Sequence, residues 1–274
     1  MTANLIQKSR ENTQLRFLHP TKSRTDLPLF IYLPGMDGTG ELFHRQVPQL
    51  SQSFDIRCLS IPPEDRSDWD QLTERTLSLI HRERTQHPER PLYLCGESFG
   101  GCLALQVALR SAQWLKHLIL INPASSFRQR PWVQWGAGLT QFLPQPFYRL
   151  SVVGLLPLLA SLGRMEQSDR QALFNAMNSV PQETSAWRME LLRQFDVDQS
   201  QLQQLKLPTL VIAGQADLLL PSVAEAQHLA QKLPRAEMLV LADSGHACLL
   251  EKNMDLHRIL QVYPTSLPEP ALAC

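Results

Sequence analysis

A single serine between two glycines, in GESFG at residues 96–100, is the clearest candidate for chemistry in the sequence. An apolar segment that favours a strand, PLYLC at 91–95, precedes it, and an apolar segment with helical spacing follows it. The pattern G-x-S-x-G between a strand and a helix is typical of a nucleophile elbow, where only small residues at 96 and 100 let the two elements pass. The serine oxygen then lies at a helix N-terminus, whose dipole favours developing negative charge. We predict that Ser98 is a nucleophile; the alternative is a glycine-rich turn with an incidental serine.

A serine hydroxyl needs a base that takes its proton and an acid that orients that base. When the serine comes first along the chain, the acid and then the histidine follow, each in a loop after a later strand. LVIAGQADLLLPS places Asp217 just after one predicted strand, and LVLADSGHACLLE places His246 just after the next. Asp243, three residues before the histidine, is a competing acid. We predict Asp217, because only Asp217 has the required position at a strand end; the alternative for His246 is a surface histidine without a catalytic role.

Attack on a carbonyl also requires hydrogen-bond donors for the negatively charged oxygen of the tetrahedral intermediate. The residue after the nucleophile supplies one backbone N–H, and a loop after an early strand supplies the other. Here these residues are Phe99 and, in LPGMDGTG at 33–40, Met36. Pro34 stands where many hydrolases have a histidine, and this substitution leaves the backbone donor available. The alternative for this loop is an ordinary glycine turn.

Segments rich in strand-forming residues alternate with helical patterns along most of the chain. Near-continuous apolar strands that alternate with helices indicate an α/β fold with a mostly parallel sheet covered on both faces. The predicted strands lie within 14–20, 27–35, 54–62, 91–95, 115–122, 207–214 and 236–243. The predicted helices lie at about 70–87, 99–112, 221–233 and 247–262.

The segment at 124–203 interrupts this alternation and has a helical character. We predict that it is a cap inserted into one core, which consists of residues 1–123 and 204–274. The alternative is that this segment only packs against the sheet. Its most apolar part, 149–164, is interrupted by glycine and proline and is shorter than the roughly 20 apolar residues of a membrane-spanning helix. The cap residues that we predict to line the substrate site are Trp132, Trp135, Phe142, Phe147 and Leu155.

The composition argues against several classes of protein. The 274 residues include 26 basic and 26 acidic side chains, and no basic block indicates a nucleic-acid partner. The N-terminal segment lacks the apolar region of a secretory signal peptide. Five scattered cysteines without a C-x-x-C spacing favour a reducing, cytoplasmic compartment. We expect no metal, no cofactor and no transmembrane segment; peripheral contact with a membrane and the oligomeric state are left open.

Several of these segments together resemble the α/β-hydrolase superfamily: LPGMDGTG, GESFGG, NPASSF at 122–127, ADLLLPS and SGHACLLE. More narrowly, they resemble the esterase/lipase/thioesterase-type half of plant plastid phytyl ester synthases and their cyanobacterial relatives. The elbow and the histidine turn are common to the superfamily, whereas the first three segments in combination are more specific to that branch. The resemblance implies an α/β-hydrolase fold with an inserted helical cap. It also implies triad roles for Ser98, Asp217 and His246 and oxyanion roles for Met36 and Phe99.

Members of that branch are implied to move fatty acyl groups onto phytol, a related lipid alcohol or water. The longer relatives carry a second, acyltransferase-like region after the hydrolase half, whereas this chain ends in YPTSLPEPALAC, so hydrolysis is the expected reaction. With the apolar cap, this predicts a serine hydrolase that cleaves an ester or thioester of a long apolar acyl or prenyl lipid. One alternative is an acyltransferase to phytol-like alcohols, and another is a non-catalytic protein that binds a lipid or a partner. Haloalkane or epoxide chemistry would need an aspartate where Ser98 stands.

Overall fold

The computed structural model of the protein describes residues 14–129, 154 and 157–263. Within these residues, seven strands form one sheet: β1 Arg16–Leu18, β2 Leu29–Leu33, β3 Asp55–Ser60, β4 Leu92–Glu97, β5 His117–Ile121, β6 Thr209–Gly214 and β7 Ala236–Leu241. Their order in the sheet is β1-β3-β2-β4-β5-β6-β7. Only β1 is antiparallel to its neighbour, β3, and all other neighbouring strands are parallel. The predicted mostly parallel α/β sheet is thereby confirmed.

Helices connect the strands and cover both faces of the sheet. In the part of the chain that the structure describes, they are α1 Val47–Leu50, α2 Trp69–Gln86, α3 Phe99–Ser111, α4 Gln167–Ser179, α5 Gln182–Gln194, α6 Gln199–Gln204, α7 Ser222–Lys232 and α8 Leu256–Val262. Short 3-10 turns lie at Glu41–Phe43, Ala112–Trp114, Ala124–Gln129, Leu162–Arg164 and Cys248–Leu250. No described helix is long and apolar enough to cross a membrane.

Strand β2 illustrates why the central strands are apolar along their whole length. All five of its residues, LFIYL, are buried. Because successive side chains of a strand point to opposite faces, Leu29, Ile31 and Leu33 pack in one apolar cluster with α2, α3, α5 and α7. Phe30 and Tyr32 pack in a second cluster on the other face, which includes residues of α1 and α8. A parallel sheet covered on both faces requires this continuous apolar pattern.

The start of α2 follows from its local sequence. The Asp68 carboxylate accepts a hydrogen bond from the backbone N–H of Gln71 at 2.8 Å, and the Gln71 side chain accepts one from the Asp68 N–H at 3.3 Å. This reciprocal capping box satisfies two backbone donors at the helix start. The helix begins at Trp69, one residue before the predicted start.

The continuous helix predicted at about 247–262 is wrong. A 3-10 turn occupies Cys248–Leu250, and α8 begins only at Leu256. The buried Glu251 between them turns back to accept hydrogen bonds from the Ser244 hydroxyl at 2.9 Å and the Gly245 N–H at 2.8 Å. Asp255 then caps the new helix by accepting from the Arg258 N–H at 3.0 Å. A side chain committed to the preceding loop, followed by a separate N-cap, ends the helical run.

The chain between β5 and β6 is helical where it is described beyond Ala124–Gln129, with α4, α5 and α6 as its main elements. Leu191, Leu192 and Phe195, at the end of α5, belong to the same apolar cluster as the sheet. The face of α5 that carries them is therefore continuous with the main core. The five predicted substrate-lining residues, Trp132, Trp135, Phe142, Phe147 and Leu155, lie outside the described residues.

Candidate active site

Ser98 lies at the sharp turn between β4 and α3, with φ of 54° and ψ of −115°. A positive φ is rare for a residue other than glycine, and it places the backbone in a strained conformation. The two flanking glycines make the turn possible. A Cβ on Gly96 would lie 2.2 Å from the Gly100 carbonyl oxygen, and a Cβ on Gly100 would lie 2.1 Å from the Leu33 carbonyl oxygen. Both positions therefore exclude any side chain, as the elbow pattern predicts.

Ser98, His246 and Asp217 form a continuous chain of hydrogen bonds. The Ser98 Oγ lies 2.8 Å from His246 Nε2, and His246 Nδ1 lies 2.7 Å from Asp217 Oδ2. An ionised carboxylate only accepts hydrogen bonds, so His246 carries its proton on Nδ1 and offers Nε2 to the serine hydroxyl. The three residues follow β4, β7 and β6, whose carboxyl ends meet at one edge of the parallel sheet. The structure thus brings together the three residues that the sequence singles out.

The Asp217 carboxylate is held by a loop that satisfies both of its oxygens. Oδ1 accepts from the backbone N–H groups of Leu219 at 2.8 Å and Leu220 at 3.0 Å, while Oδ2 also accepts from the Ser222 hydroxyl. The competing acid, Asp243, has a side chain that is 78% exposed and lies 3.6 Å from Arg164. The observed contact of His246 is therefore with Asp217 and not with Asp243.

Burial and charge shift the pKa values of His246 and Asp217 in opposite directions. Burial alone would lower the pKa of His246, but the charge and hydrogen bond of Asp217 outweigh it and raise the pKa above its ordinary value of 6.5. Burial likewise opposes the ionisation of Asp217, yet His246 and the surrounding donors lower its pKa below 3.8. The pair thus favours an ionised carboxylate next to a histidine that can accept a proton.

The two predicted oxyanion donors follow two neighbouring strands, β4 and β2. Phe99 is the first residue of α3, and Met36 lies in the turn that follows β2. The structure gives neither backbone N–H a hydrogen bond to another described residue. Gly35 lies close to the nucleophile, since a Cβ built on it would be 3.8 Å from the Ser98 Cβ. The turn therefore borders the space in front of the serine.

Two residues that brace the histidine loop are missed by the sequence analysis. The side chain of Asn122, fully buried with φ of 42°, accepts from the Gly214 N–H at 2.8 Å and donates to the carbonyl of His246 at 2.7 Å. Asn122 thus joins the end of β6 to the loop after β7. Glu251 bonds to Ser244 and Gly245 in the same loop, as described above. A polar residue directly after an apolar strand is the only sign that could have indicated Asn122.

A buried acid lies directly before the nucleophile. Glu97 accepts a hydrogen bond from the Tyr32 hydroxyl at 2.5 Å on the sheet face opposite to α3. Burial raises the pKa of Glu97 to about 7, although the Tyr32 hydrogen bond and the charge of His246 act in the opposite direction. When it is ionised, Glu97 in turn raises the pKa of His246. The chemistry of a serine nucleophile does not require this acid, and the sequence analysis gave it no role.

Apolar side chains surround the elbow where it is described. Trp69 stacks on Phe99 with ring centroids 4.7 Å apart, and its ring centroid lies 5.3 Å from that of Phe195 at the end of α5. Leu218, next to the acid, is 59% exposed. In the same part of the chain, no group of three or more His, Cys, Asp or Glu side chains could hold a metal ion.

Comparison with known proteins places the chain in a family. The model of Hydrolase_4, described as serine aminopeptidase, S33, matches residues 64–253. The chain belongs to this α/β-hydrolase family. The esterase from Exiguobacterium antarcticum superposes on the chain with a TM-score of 0.73 at 17% identity, covering 91% of this chain and 94% of that one. The α/β-hydrolase fold and the resemblance to that superfamily inferred from the sequence are thereby confirmed.

Relatives of this α/β-hydrolase include synthases and an esterase. Phytyl ester synthases 1 and 2, chloroplastic, of Arabidopsis thaliana are 33% and 30% identical, over 86% of this chain in each case. The matches cover only 37% and 38% of those proteins, so the chain spans less than two fifths of their length. Pimeloyl-[acyl-carrier protein] methyl ester esterase of Vibrio vulnificus is 25% identical over 85% of this chain and 93% of that protein. The chain thus belongs to a family that includes enzymes, and the resemblance to phytyl ester synthases inferred from the sequence is confirmed.

Proposed function

We propose that the protein is a serine hydrolase that cleaves a carboxylic ester or thioester of a long apolar acyl or prenyl lipid. The observation that carries this proposal is the hydrogen-bonded chain from Asp217 through His246 to the strained Ser98. In this proposal Ser98, His246 and Asp217 are the catalytic residues, and the backbone N–H groups of Met36 and Phe99 hold the oxyanion.

In the first half of the reaction, the Ser98 Oγ forms a bond to the substrate carbonyl carbon while His246 Nε2 takes the hydroxyl proton. The carbonyl oxygen becomes an oxyanion, which the two backbone donors stabilise. The bond from the carbonyl carbon to the leaving oxygen or sulfur then breaks, and the protonated histidine gives its proton to that atom. Asp217 stabilises the imidazolium in both steps, which agrees with the raised pKa of His246.

In the second half, a water molecule takes the place of the leaving group. His246 removes one proton from the water as its oxygen attacks the acyl carbonyl, and the resulting tetrahedral intermediate occupies the same oxyanion site. The bond to Ser98 breaks, the serine recovers its proton from the histidine, and the carboxylic acid leaves. The chemistry of both halves is carried by the chain's own residues, so the proposal includes no cofactor.

An apolar substrate agrees with the apolar surroundings of the described site, above all the Trp69–Phe99 stack and the exposed Leu218. We further propose that residues 124–203 cap the cleft and that the predicted residues Trp132, Trp135, Phe142, Phe147 and Leu155 line it. A lipid substrate would bring the cap to a membrane surface.

A second candidate is transfer of the acyl group to a phytol-like alcohol instead of water. The similarity to the two phytyl ester synthases favours this candidate. The acylation half of the reaction is the same in both cases. The difference lies in whether the alcohol or water attacks the acyl-enzyme.

The first test is the intact mass of the protein after treatment with a fluorophosphonate probe. We expect one adduct on the wild type and none on Ser98→Ala, with both proteins folded by circular dichroism. Hydrolysis of p-nitrophenyl esters from acetate to palmitate should then increase in kcat/KM with chain length. Absence of an adduct on folded wild type contradicts the nucleophile, and equal turnover of acetate and palmitate esters contradicts the lipid substrate.

A product analysis with and without phytol separates the two reactions. The enzyme is supplied with a long-chain acyl thioester, and free acid and phytyl ester are quantified by mass spectrometry. Hydrolysis predicts free acid as the main product even when phytol is present. Phytyl ester as the main product identifies the acyltransferase instead.

A further inference from the structure

Arg188, on α5 between β5 and β6, is a deeply buried cation that is 2% exposed. Its two terminal nitrogens donate to backbone carbonyls of the core: Nη1 to Met36 at 2.6 Å and Nη2 to Pro62 at 3.0 Å. None of the described carboxylates lies within ion-pair distance of it. Burying a charge is costly, and the carboxylates of Asp37 and Asp65 offset this cost only from beyond ion-pair distance. The two carbonyl hydrogen bonds are therefore its direct compensation.

The carbonyl of Met36 belongs to the central peptide of a tight turn. The Gly38 N–H donates to the Gly35 carbonyl at 3.0 Å, which closes the turn over Met36 and Asp37. Among the described residues other than glycine, only Ser98 and Asn122 have a positive φ, so Asp37 at the third position of the turn has a negative φ. A type II turn requires a positive φ there, and it would rotate the Met36 carbonyl to the opposite side. The bond from Arg188 therefore favours the observed orientation of this peptide.

Other hydrogen bonds hold the rest of the turn, but none of those among the described residues reaches the Met36 carbonyl. The Ile61 N–H donates to the Gly38 carbonyl at 2.7 Å, and the Asp37 carboxylate accepts from the Thr39 N–H at 2.9 Å. The guanidinium itself packs on Gly38, where φ is 71° and a Cβ would lie 2.8 Å from Nη1. The hydrogen bond to the Met36 carbonyl therefore comes from Arg188 of α5.

We propose that Arg188 is a positioning residue that holds the turn at residues 35–38. The Met36 N–H belongs to the Gly35–Met36 peptide, whose carbonyl accepts from the Gly38 N–H of the same turn. A turn that Arg188 fixes at the Met36 carbonyl and at Gly38 keeps this N–H directed at the oxyanion. The inference rests on the proposed function, because it concerns the oxyanion donor of that reaction. The guanidinium is almost inaccessible and its terminal nitrogens are engaged, so it acts through the turn and makes no contact with the substrate. A side chain between β5 and β6 thereby influences the reaction at Ser98.

The proposal predicts a specific kinetic signature. An oxyanion donor acts mainly in the transition state, so a displaced donor lowers kcat while KM changes little. Loss of a complete donor costs about 10²–10³ in kcat, and displacement of one should cost less. We expect Arg188→Met to lower kcat by roughly 10- to 100-fold with KM within about twofold. Arg188→Lys retains the buried charge but cannot span both carbonyls, and we expect a smaller loss.

The matched control is Arg193→Met on the same helix. Arg193 is exposed and pairs with Glu190, so its replacement should leave kcat near that of the wild type. All variants are compared with p-nitrophenyl palmitate at a temperature where circular dichroism shows them folded. If Arg188→Met does not fold, Arg188→Lys carries the test, and its kcat must still fall below that of the control.

Two inhibitors separate positioning from a general loss of structure. A long-chain trifluoromethyl ketone forms a tetrahedral adduct with the serine and uses the oxyanion donors, whereas the matching alkyl ether occupies only the acyl site. The inhibition constant of the ketone should rise in parallel with the loss of kcat/KM, and that of the ether should not change. Unchanged ketone binding, equal weakening of both inhibitors, or unchanged kcat overturns the role of Arg188. Hydrolysis that continues at the wild-type rate in Ser98→Ala overturns the proposed function, and this inference with it.

Discussion

Replacing Asp217 by asparagine should remove most of the catalytic activity while the fold is retained. The new amide side chain would present one oxygen and one NH₂ group to a site in which every partner is arranged for a carboxylate. Its oxygen is expected to accept the hydrogen bonds of Leu219 and Leu220, which approach Oδ1 at 2.8 and 3.0 Å. The NH₂ group would then face His246 Nδ1, where Oδ2 now lies at 2.7 Å. The opposite orientation would direct two N–H donors at an NH₂ group and leave them unpaired.

An NH₂ group that faces Nδ1 stabilises the tautomer of His246 with its proton on Nε2. That nitrogen then donates to the Ser98 hydroxyl and is unable to take its proton. Loss of the correct tautomer in a serine–histidine–acid triad lowers kcat by about 10⁴. At 1.36 kcal/mol for each factor of ten, this is about 5 kcal/mol of transition-state stabilisation. The charge that raises the pKa of His246 is also lost, so that pKa should fall.

The assay is kcat for p-nitrophenyl ester hydrolysis, with circular dichroism to show that the variants are folded. Asp243→Asn is the matched control, because that exposed acid lies three residues before His246 and pairs with Arg164. We expect the control to retain wild-type kcat within about twofold, as its exposed ion pair contributes little. The reasoning is refuted if Asp217→Asn retains more than about a tenth of the activity, or if Asp243→Asn loses as much.

Three further predictions concern the surroundings of the site. Ionised Glu97 favours the charged form of His246, so Glu97→Gln should lower the pKa of His246 and move the acid limb of the kcat/KM profile to lower pH; an unmoved limb contradicts the coupling. Burial opposes ionisation of Asp55, but hydrogen bonds from two arginines lower its pKa to about 2, so its contribution to stability is present above pH 3.8 and lost as the pH falls through 2. Asp55→Asn should therefore lower the free energy of unfolding in urea by about 3–5 kcal/mol at pH 7 with kcat unchanged; a loss below about 1 kcal/mol contradicts this. Gly100→Ala places a Cβ 2.1 Å from the Leu33 carbonyl oxygen and should abolish fluorophosphonate labelling, whereas labelling at the wild-type rate would show that the elbow is less tightly packed.

Several side chains join the segment between β5 and β6 to the rest of the described chain. Arg188 bonds to the turn after β2, and Trp69 of α2 donates from its Nε1 to the Leu191 carbonyl at 2.8 Å. At another point, Arg164 donates to Glu251, which braces the histidine loop, at 2.9 Å. The turn after β2 and the loop that carries His246 are thus bonded to chain segments between β5 and β6. Substitutions that remove these hydrogen bonds are expected to change kcat as well as substrate choice.

The sequence by itself determined the fold class and singled out the three residues that the structure joins by hydrogen bonds. Continuous apolar strands alternating with helices require a doubly covered parallel sheet, and this pattern is local and periodic. The elbow is equally local, because the two glycines around Ser98 are needed wherever a strand and helix cross so closely. The order of serine, acid and histidine after successive strands was also sufficient to single out Asp217 and His246.

Only the tertiary structure decided which buried polar groups meet. Asn122 contacts residues more than 90 positions away, and Arg188 contacts Met36 across 152 positions. Their sequence neighbourhoods resemble an ordinary strand end and an ordinary helix. The error in the last predicted helix has the same origin, since Glu251 is committed to the histidine loop instead of a helical turn. Apolar periodicity reports which face of an element is buried, whereas the partner of a buried polar side chain depends on how distant segments are brought together.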